Sequence, residues 1–287
     1  MTVTHAIVSF LIALLAGAFG SVLGIGGGLF IIPSLNLFLG IKLKTAIAAS
    51  IVAVIATSLG GGNVYVRRNL ADIRLGLLLA LATVPGAVVG AKLATRVPAQ
   101  YLAGVFAVVL AISAYRMQRG TRTPSEVSDP VALPPKPESG RFRFRKQYLE
   151  TSTGETIGYR IERLPLGIGA SVVAGLVSGL LGVGGGIVQV PVMSLLMKVP
   201  IKVATTTSTY IIGITAMAGA FVYYNHKPSY IDPSIAVPVA IGVFIGSSIG
   251  SDLLRRVSQR GLRNLFVVVT ALYTVQMALK AFGIGGG

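Results

Sequence analysis

From His5 to Leu23, and again from Thr45 to Val66, the chain contains no Asp, Glu, Lys or Arg. About 20 apolar residues in a helix match a hydrocarbon core of ~30 Å. Further apolar runs, some shorter and some with one or two charges near their ends, are Leu29–Leu39, Ile73–Leu93, Tyr101–Tyr115, Leu166–Leu181, Ile187–Met197, Val203–Tyr224, Ile235–Leu254 and Leu262–Phe282. Charged residues are 12% of the chain, roughly half the share of a soluble domain. A globule of this size could not be wetted by so few charges, and so apolar a chain is not disordered. The reading is an all-α integral membrane protein, multi-pass, in the cell inner membrane. The first run lacks the basic flank of a signal peptide and is expected to be a retained helix.

The charge is strongly basic, with 25 Lys+Arg against 9 Asp+Glu. The bases lie in short clusters between apolar runs, as loop charges of membrane proteins do. Lipid headgroups are therefore the expected partner, and nucleic acid is not. Outside residues 119–164 the acids are Asp72, Asp232 and Asp252. Asp72 and Asp232 read as helix N-caps. Cysteine is absent and the two histidines, His5 and His226, are far apart. No metal or cofactor is expected, and no cluster for acid–base or nucleophilic chemistry is visible, so the chain does not read as an enzyme.

An internal repeat is legible. A shift of 158 places Leu23-Gly24-Ile25-Gly26-Gly27-Gly28 on Leu181-Gly182-Val183-Gly184-Gly185-Gly186, Pro33 on Pro191, Ser50 on Ser208, Thr57 on Thr215 and Tyr65 on Tyr223. A shift of 160 then pairs Asp72 with Asp232, Gly86 with Gly246 and Gly90 with Gly250. The expected organisation is an N-terminal transmembrane repeat (1–118), a basic cytoplasmic linker (119–164) and a C-terminal transmembrane repeat (165–287). Each repeat would hold about 4–5 transmembrane segments. If the glycine-split segment counts as one crossing, the repeats are parallel; if the chain enters and returns there, they are inverted. Inversion puts 19 basic residues on one side and six on the other, whereas the parallel arrangement gives 15 and 10. The sharper bias favours inverted repeats, a common transporter plan.

In the linker, Thr121–Pro137 is rich in Pro, Ser and Thr. Arg141–Arg145 and Thr156–Arg163 alternate with period two around the turn-like Thr151–Glu155, which predicts a small β-hairpin. Its basic face could meet anionic lipid; a solvated hairpin with no ligand is the preferred expectation.

The glycine clusters carry the functional signal. Each interior glycine costs a helix about 1 kcal/mol relative to Ala, so Gly24–Gly28 and Gly182–Gly186 predict breaks. A break within a bilayer is tolerated only where it is packed in protein or lines a cavity. The run after each break would begin with free N–H groups and the positive end of its dipole, which is an anion site needing no cationic side chain. Close helix packing is the alternative use of such glycines. A dinucleotide fingerprint is not supported, because its third glycine would fall on Leu29. The candidate substrate-binding residues are therefore Gly24, Gly26, Gly27, Gly28, Gly182, Gly184, Gly185 and Gly186.

L-G-x-G-G-G followed by Pro, once in each half of a duplicated apolar chain, resembles the TauE/SafE-type sulfite exporter family. The resemblance covers both apolar halves and leaves out 119–164. It implies a membrane carrier of small sulfur-containing anions such as sulfite, sulfonates or sulfoacetate-like compounds, and it assigns the glycines above to the site. Ser50, Thr57, Ser208 and Thr215 add hydroxyl donors from the following helices, or simply pack them. Gln189 and Asn36, just after the breaks, are weaker candidates. Lys44 and Lys202 could attract an anion but read better as interfacial anchors. The coupling ion, proton or sodium, and the oligomeric state are left open by the residues. An anion channel built on the same broken helices is the alternative function.

Overall fold

The computed structural model describes residues 3–67, 71–118, 145–149, 156–253 and 259–282. Among the described residues every apolar run forms helix. α1 (Val3–Leu23), α2 (Gly28–Leu39) and α3 (Leu43–Thr57) come first, and α3 passes through a π-helical turn (Ser58–Gly62) into α4 (Asn63–Arg67). α5 (Ile73–Arg96) and α6 (Ala99–Gln118) follow, then strands β1 (Arg145–Leu149) and β2 (Thr156–Arg160). α7 (Leu164–Leu181), α8 (Gly186–Pro191) with a second π-helical turn (Val192–Leu196), α9 (Ile201–Asn225), α10 (Pro233–Leu253) and α11 (Gln259–Ala281) complete the chain.

Among the described residues five helices are long and apolar enough to cross a membrane: Thr4–Ser21, Leu43–Val66, Ile73–Arg96, Leu164–Leu181 and Pro233–Gly250. α2, with 12 residues, reaches only about 18 Å at ~1.5 Å per residue. That is little more than half a hydrocarbon core. The segment Gly186–Leu196 is short for the same reason. Each short segment follows a glycine break.

The long helices pair across the two parts of the chain: α1 lies on α10, α5 on α7, α6 on α11 and α3 on α9. Small residues make these approaches possible. A Cβ on Gly86 or Gly90 of α5 would strike the backbone of Val172 or Leu176 on α7, and one on Gly246 or Gly250 of α10 would strike Leu14 or Ala18 on α1. These four glycines are the ones that the shift of 160 pairs. Tyr65 and Tyr223, paired by the shift of 158, donate to the carbonyls of Ser21 and Gly179, 3.2 Å in both cases. Ser21 and Gly179 also differ by 158.

The polarity is that of a membrane protein. Large apolar side chains face outward, Leu81 and Phe221 at 76% and 71% exposure, while Ser50, Ser208, Thr207 and Thr209 are fully buried. The multi-pass membrane assignment follows from this and from the helix lengths.

Asp72 caps α5, its Oδ1 accepting from Leu75 N–H at 3.0 Å. Asp232 accepts from Ser234 N–H at 2.9 Å at the start of α10. Lys44 donates to Thr95 C=O at 2.9 Å at the end of α5 and lies over the Tyr230 ring, an anchoring role. Asn36 donates to Ile41 C=O and accepts from Lys280, which closes α2 against α11.

The expected hairpin forms, with Arg145–Leu149 paired antiparallel with Thr156–Arg160; Thr121–Pro137 and Arg141–Phe144 lie outside the described residues. The hairpin is not merely solvated, contrary to expectation. Tyr159 and Ile161 are buried in an apolar cluster with Leu75, Leu79, Met197 and Val203. Tyr159 Oη donates to Asp72 Oδ2 at 3.2 Å, Asp72 N–H donates to Thr207 Oγ1 at 2.9 Å, and Glu162 pairs with Lys198 at 3.0 Å. Period-two alternation in β2 supplies one apolar face, and α5, α9 and the turn after α8 offer the surface that buries it.

Candidate functional site

α1 ends at Leu23 and α2 begins at Gly28; between them Gly24, Gly26 and Gly27 adopt φ of +69°, +84° and +74°. The second break repeats the conformation, with φ of +67°, +78° and +74° at Gly182, Gly184 and Gly185. Side-chain-bearing residues enter this region at a cost of about 1–2 kcal/mol each, so three such positions in four residues select glycine. The new helices start alike. Gly27 C=O accepts from Phe30 and Ile31 N–H at 3.0 and 3.2 Å, and Gly185 C=O accepts from Val188 and Gln189 N–H at 3.1 and 3.0 Å.

The two breaks touch. A Cβ on Gly28 would lie 2.6 Å from Gly182 O, and one on Gly186 would overlap Gly24 O. Each break is also stitched by a serine from the other part of the chain. Ser50 Oγ donates to Gly182 O at 2.8 Å, and Ser208 Oγ donates to Gly24 O at 3.2 Å. Thr57 donates to Gly26 O at 3.1 Å or to Ala53 O at 3.0 Å. The structure therefore brings the eight glycines and the two serines into one locus. The hydroxyls of Ser50, Ser208 and Thr57 hold the unwound backbone here.

Thr215 lies beside the second break. Its hydroxyl is 2.6 Å from that of Thr83 on α5, a partner that sequence reasoning did not single out. Thr83, Thr215, Gln189, Gly184 and Gly185 line a narrow cavity with no room for a water molecule.

Two apolar residues were also not anticipated. Val54 and Ile212 are buried between the breaks. A Cβ on Gly26 would sit 2.8 Å from Ile212 Cδ1, and one on Gly184 would sit 2.8 Å from Val54 Cγ1. They fill the space between Gly26 and Gly184, beside the direct contacts of Gly28 with Gly182 and of Gly186 with Gly24. Their spacing of 158 is a readable signal, but nothing in an aliphatic side chain marks it as lying between two breaks.

The family description Sulfite exporter TauE/SafE matches residues 9–277. The chain belongs to the TauE/SafE sulfite exporter family. Among relatives of this TauE/SafE chain, the probable membrane transporter protein YunE of Bacillus subtilis (strain 168) is 27% identical over 282 residues, covering 94% of this chain and 96% of YunE. YdhB of the same organism, also a probable membrane transporter protein, is 24% identical over 267 residues, 93% of this chain and 96% of its own. A probable membrane transporter protein of Xylella fastidiosa (strain 9a5c) is 25% identical over 281 residues, 96% and 97% of the two chains. No solved structure gives a significant match. This TauE/SafE member is a membrane transporter, and the paired breaks are its candidate substrate site.

Proposed function

We propose that the chain is a secondary carrier of small sulfur-containing anions (sulfite, sulfonates or sulfoacetate-like compounds) in the cell inner membrane. It would consist of two inverted repeats, 1–118 and 165–287, joined by the cytoplasmic segment 119–164. The observation that carries this reading is the meeting of the two breaks. α2 and α8 both begin there, so two sets of helix-start N–H groups and two positive dipole ends lie within reach of one anion. An anion held this way needs no buried cationic side chain, whose desolvation would be costly. Matching contacts at positions 158 and 160 residues apart support the repeat reading, and the basic bias supports inversion.

In this closed arrangement the breaks touch at Gly28–Gly182 and Gly186–Gly24, while Val54 and Ile212 stand between Gly26 and Gly184. A substrate reaches the helix starts when these side chains part, and this occluded arrangement supports a carrier over an open pore. Gly24, Gly26, Gly27, Gly28, Gly182, Gly184, Gly185 and Gly186 would let the anion approach backbone, with Ser50, Ser208, Thr57 and Thr215 exchanging backbone acceptors for substrate oxygens.

The test is counterflow in proteoliposomes loaded with sulfite, sulfoacetate, sulfate, thiosulfate or a simple carboxylate. Saturable counterflow of a sulfur anion is expected, with collapse of proton or sodium gradients reading out the coupling ion. Flux without counterflow would make the protein an anion channel. Transport of the carboxylate alone would overturn the substrate class.

A further inference from the structure

The second break carries a polar cluster that the first lacks. Gln189 is 1% exposed, and Thr83, Ser171 and Thr215 are equally buried. At the positions matched by the shifts of 158 and 160 the first half has Ile31 for Gln189, Ala13 for Ser171 and Val243 for Thr83; only Thr57 corresponds to Thr215. Ile31, Ala13 and Val243 are all fully buried. An aliphatic set therefore satisfies the same packing in the first half. A buried polar set in a membrane interior is costly and points to a ligand.

The hydrogen-bond inventory says what that ligand must offer. Thr83 and Thr215 each carry one hydroxyl hydrogen. One serves the bond between them, and the other has a backbone acceptor, Ala80 O at 3.1 Å or Ile211 O at 3.2 Å. Ser171 donates to Gly167 O at 2.7 Å, so its oxygen can only accept. That places the Gln189 amide nitrogen toward Ser171, at 3.0 Å, and leaves the amide oxygen as the free end of a side chain that lines the cavity. Gln189 Oε1 is buried without a partner, and the cavity is too narrow for water to supply one. An unpaired buried acceptor costs about 1–3 kcal/mol. What it lacks is a hydrogen-bond donor.

We infer that Gln189 is a substrate-contacting specificity residue that accepts a hydrogen bond from a protonated oxyanion, one bearing an O–H beside its charged oxygens. The inference rests on the anion-carrier reading above and narrows it. The substrate meets helix-start N–H groups with its charged oxygens and Gln189 Oε1 with its hydroxyl. Sulfite has such a form near neutral pH; sulfate and sulfonates do not. Selectivity for the hydrogen-bearing form follows because a fully deprotonated oxygen placed against Oε1 would be repelled.

The experiment uses the full chain in detergent and in proteoliposomes. Thermal-shift titrations compare hydrogen-bearing oxyanions (sulfite near neutral pH, hydrogenphosphate, hydrogencarbonate) with sulfate and benzenesulfonate. Transport KM for sulfite is then measured across neutral pH for the wild type, Q189I and Q189E. Q189I installs the residue that the first half already packs at this position, and Q189E keeps the shape. We expect selective stabilisation by the hydrogen-bearing set. Wild-type KM in total sulfite should rise as pH increases. Q189I should raise KM at least tenfold and flatten its pH dependence, and Q189E should raise KM by repulsion. Wild-type KM and pH profile in Q189I, or in Q189E should Q189I fail to fold, would overturn the inference. Stabilisation by sulfate or benzenesulfonate alone would overturn it while leaving the sulfur-anion reading in place. Stabilisation by none of the panel would overturn both.

Discussion

Replacing Gly28 by alanine tests whether contact between the two breaks holds the centre of the protein together. The added Cβ would lie 2.6 Å from both Gly182 O and Ser50 Oγ, and 2.9 Å from Val183 Cα. Ordinary contacts begin near 3.4 Å, so both oxygens are overrun. Gly182 O belongs to backbone and cannot swing aside. Relief requires α2 to back away from the second break and Ser50 Oγ, on α3, to swing off Gly182 O. Overpacking costs about 1–3 kcal/mol, and a buried carbonyl left unpaired costs about 1–3 more. The expected loss is thus about 2–6 kcal/mol. Gly40 is the internal comparison. Its φ is +60° but a Cβ there meets nothing within 4 Å, so G40A carries only the left-handed penalty of about 1–2 kcal/mol. Thermal unfolding of the purified protein in detergent, followed by loss of the monodisperse peak, reads the difference. At roughly 2–4 °C per kcal/mol, G28A should melt well below G40A. A G28A melting temperature equal to or above that of G40A would refute the claim that the breaks are in contact.

The serine stitches give a second expectation: S50A and S208A each leave a buried carbonyl unpaired and should each cost about 1–3 kcal/mol, measured in the same melt; unchanged melting in both would discard the stitching role. Y159F removes the hydroxyl that donates to the Asp72 carboxylate and should loosen the hairpin, so that limited proteolysis within 119–164 quickens several-fold while α5 stays protected; unchanged cleavage would argue against docking. The hairpin should also respond to acid. Glu162 is held below the usual carboxylate range chiefly by its hydrogen bond from Lys198. A folded-state pKa below the unfolded one contributes stability above the ordinary carboxylate range and loses it as pH falls through the depressed value. Proteolysis in 119–164 by an acid-active protease should therefore quicken below that range, and K198A should remove this component. V54A combined with I212A should create leak of small anions through proteoliposomes by deleting the plug; a membrane as tight as wild type would assign the seal elsewhere.

The sequence carried far into this protein because its strongest signals are local. The membrane class, the ten apolar segments and the two breaks follow from side-chain hydrophobicity and from glycine's freedom at positions such as Gly27 and Gly185. The N-cap role of Asp72 and the existence of a hairpin were legible for the same reason. Tertiary packing decided what those parts do. Ser50 and Ser208 could be read as hydroxyls facing a substrate, but only the fold shows each donating to a carbonyl 132 and 184 residues away. Val54 and Ile212 have ordinary membrane side chains, and only the fold brings both against Gly26 and Gly184. Gln189 was a weak polar candidate until the hydrogens of Ser171, Thr83 and Thr215 were accounted for. A residue's hydrophobicity and backbone preference travel with the residue itself. Whether its polar atoms are paired depends on partners brought together across the whole chain.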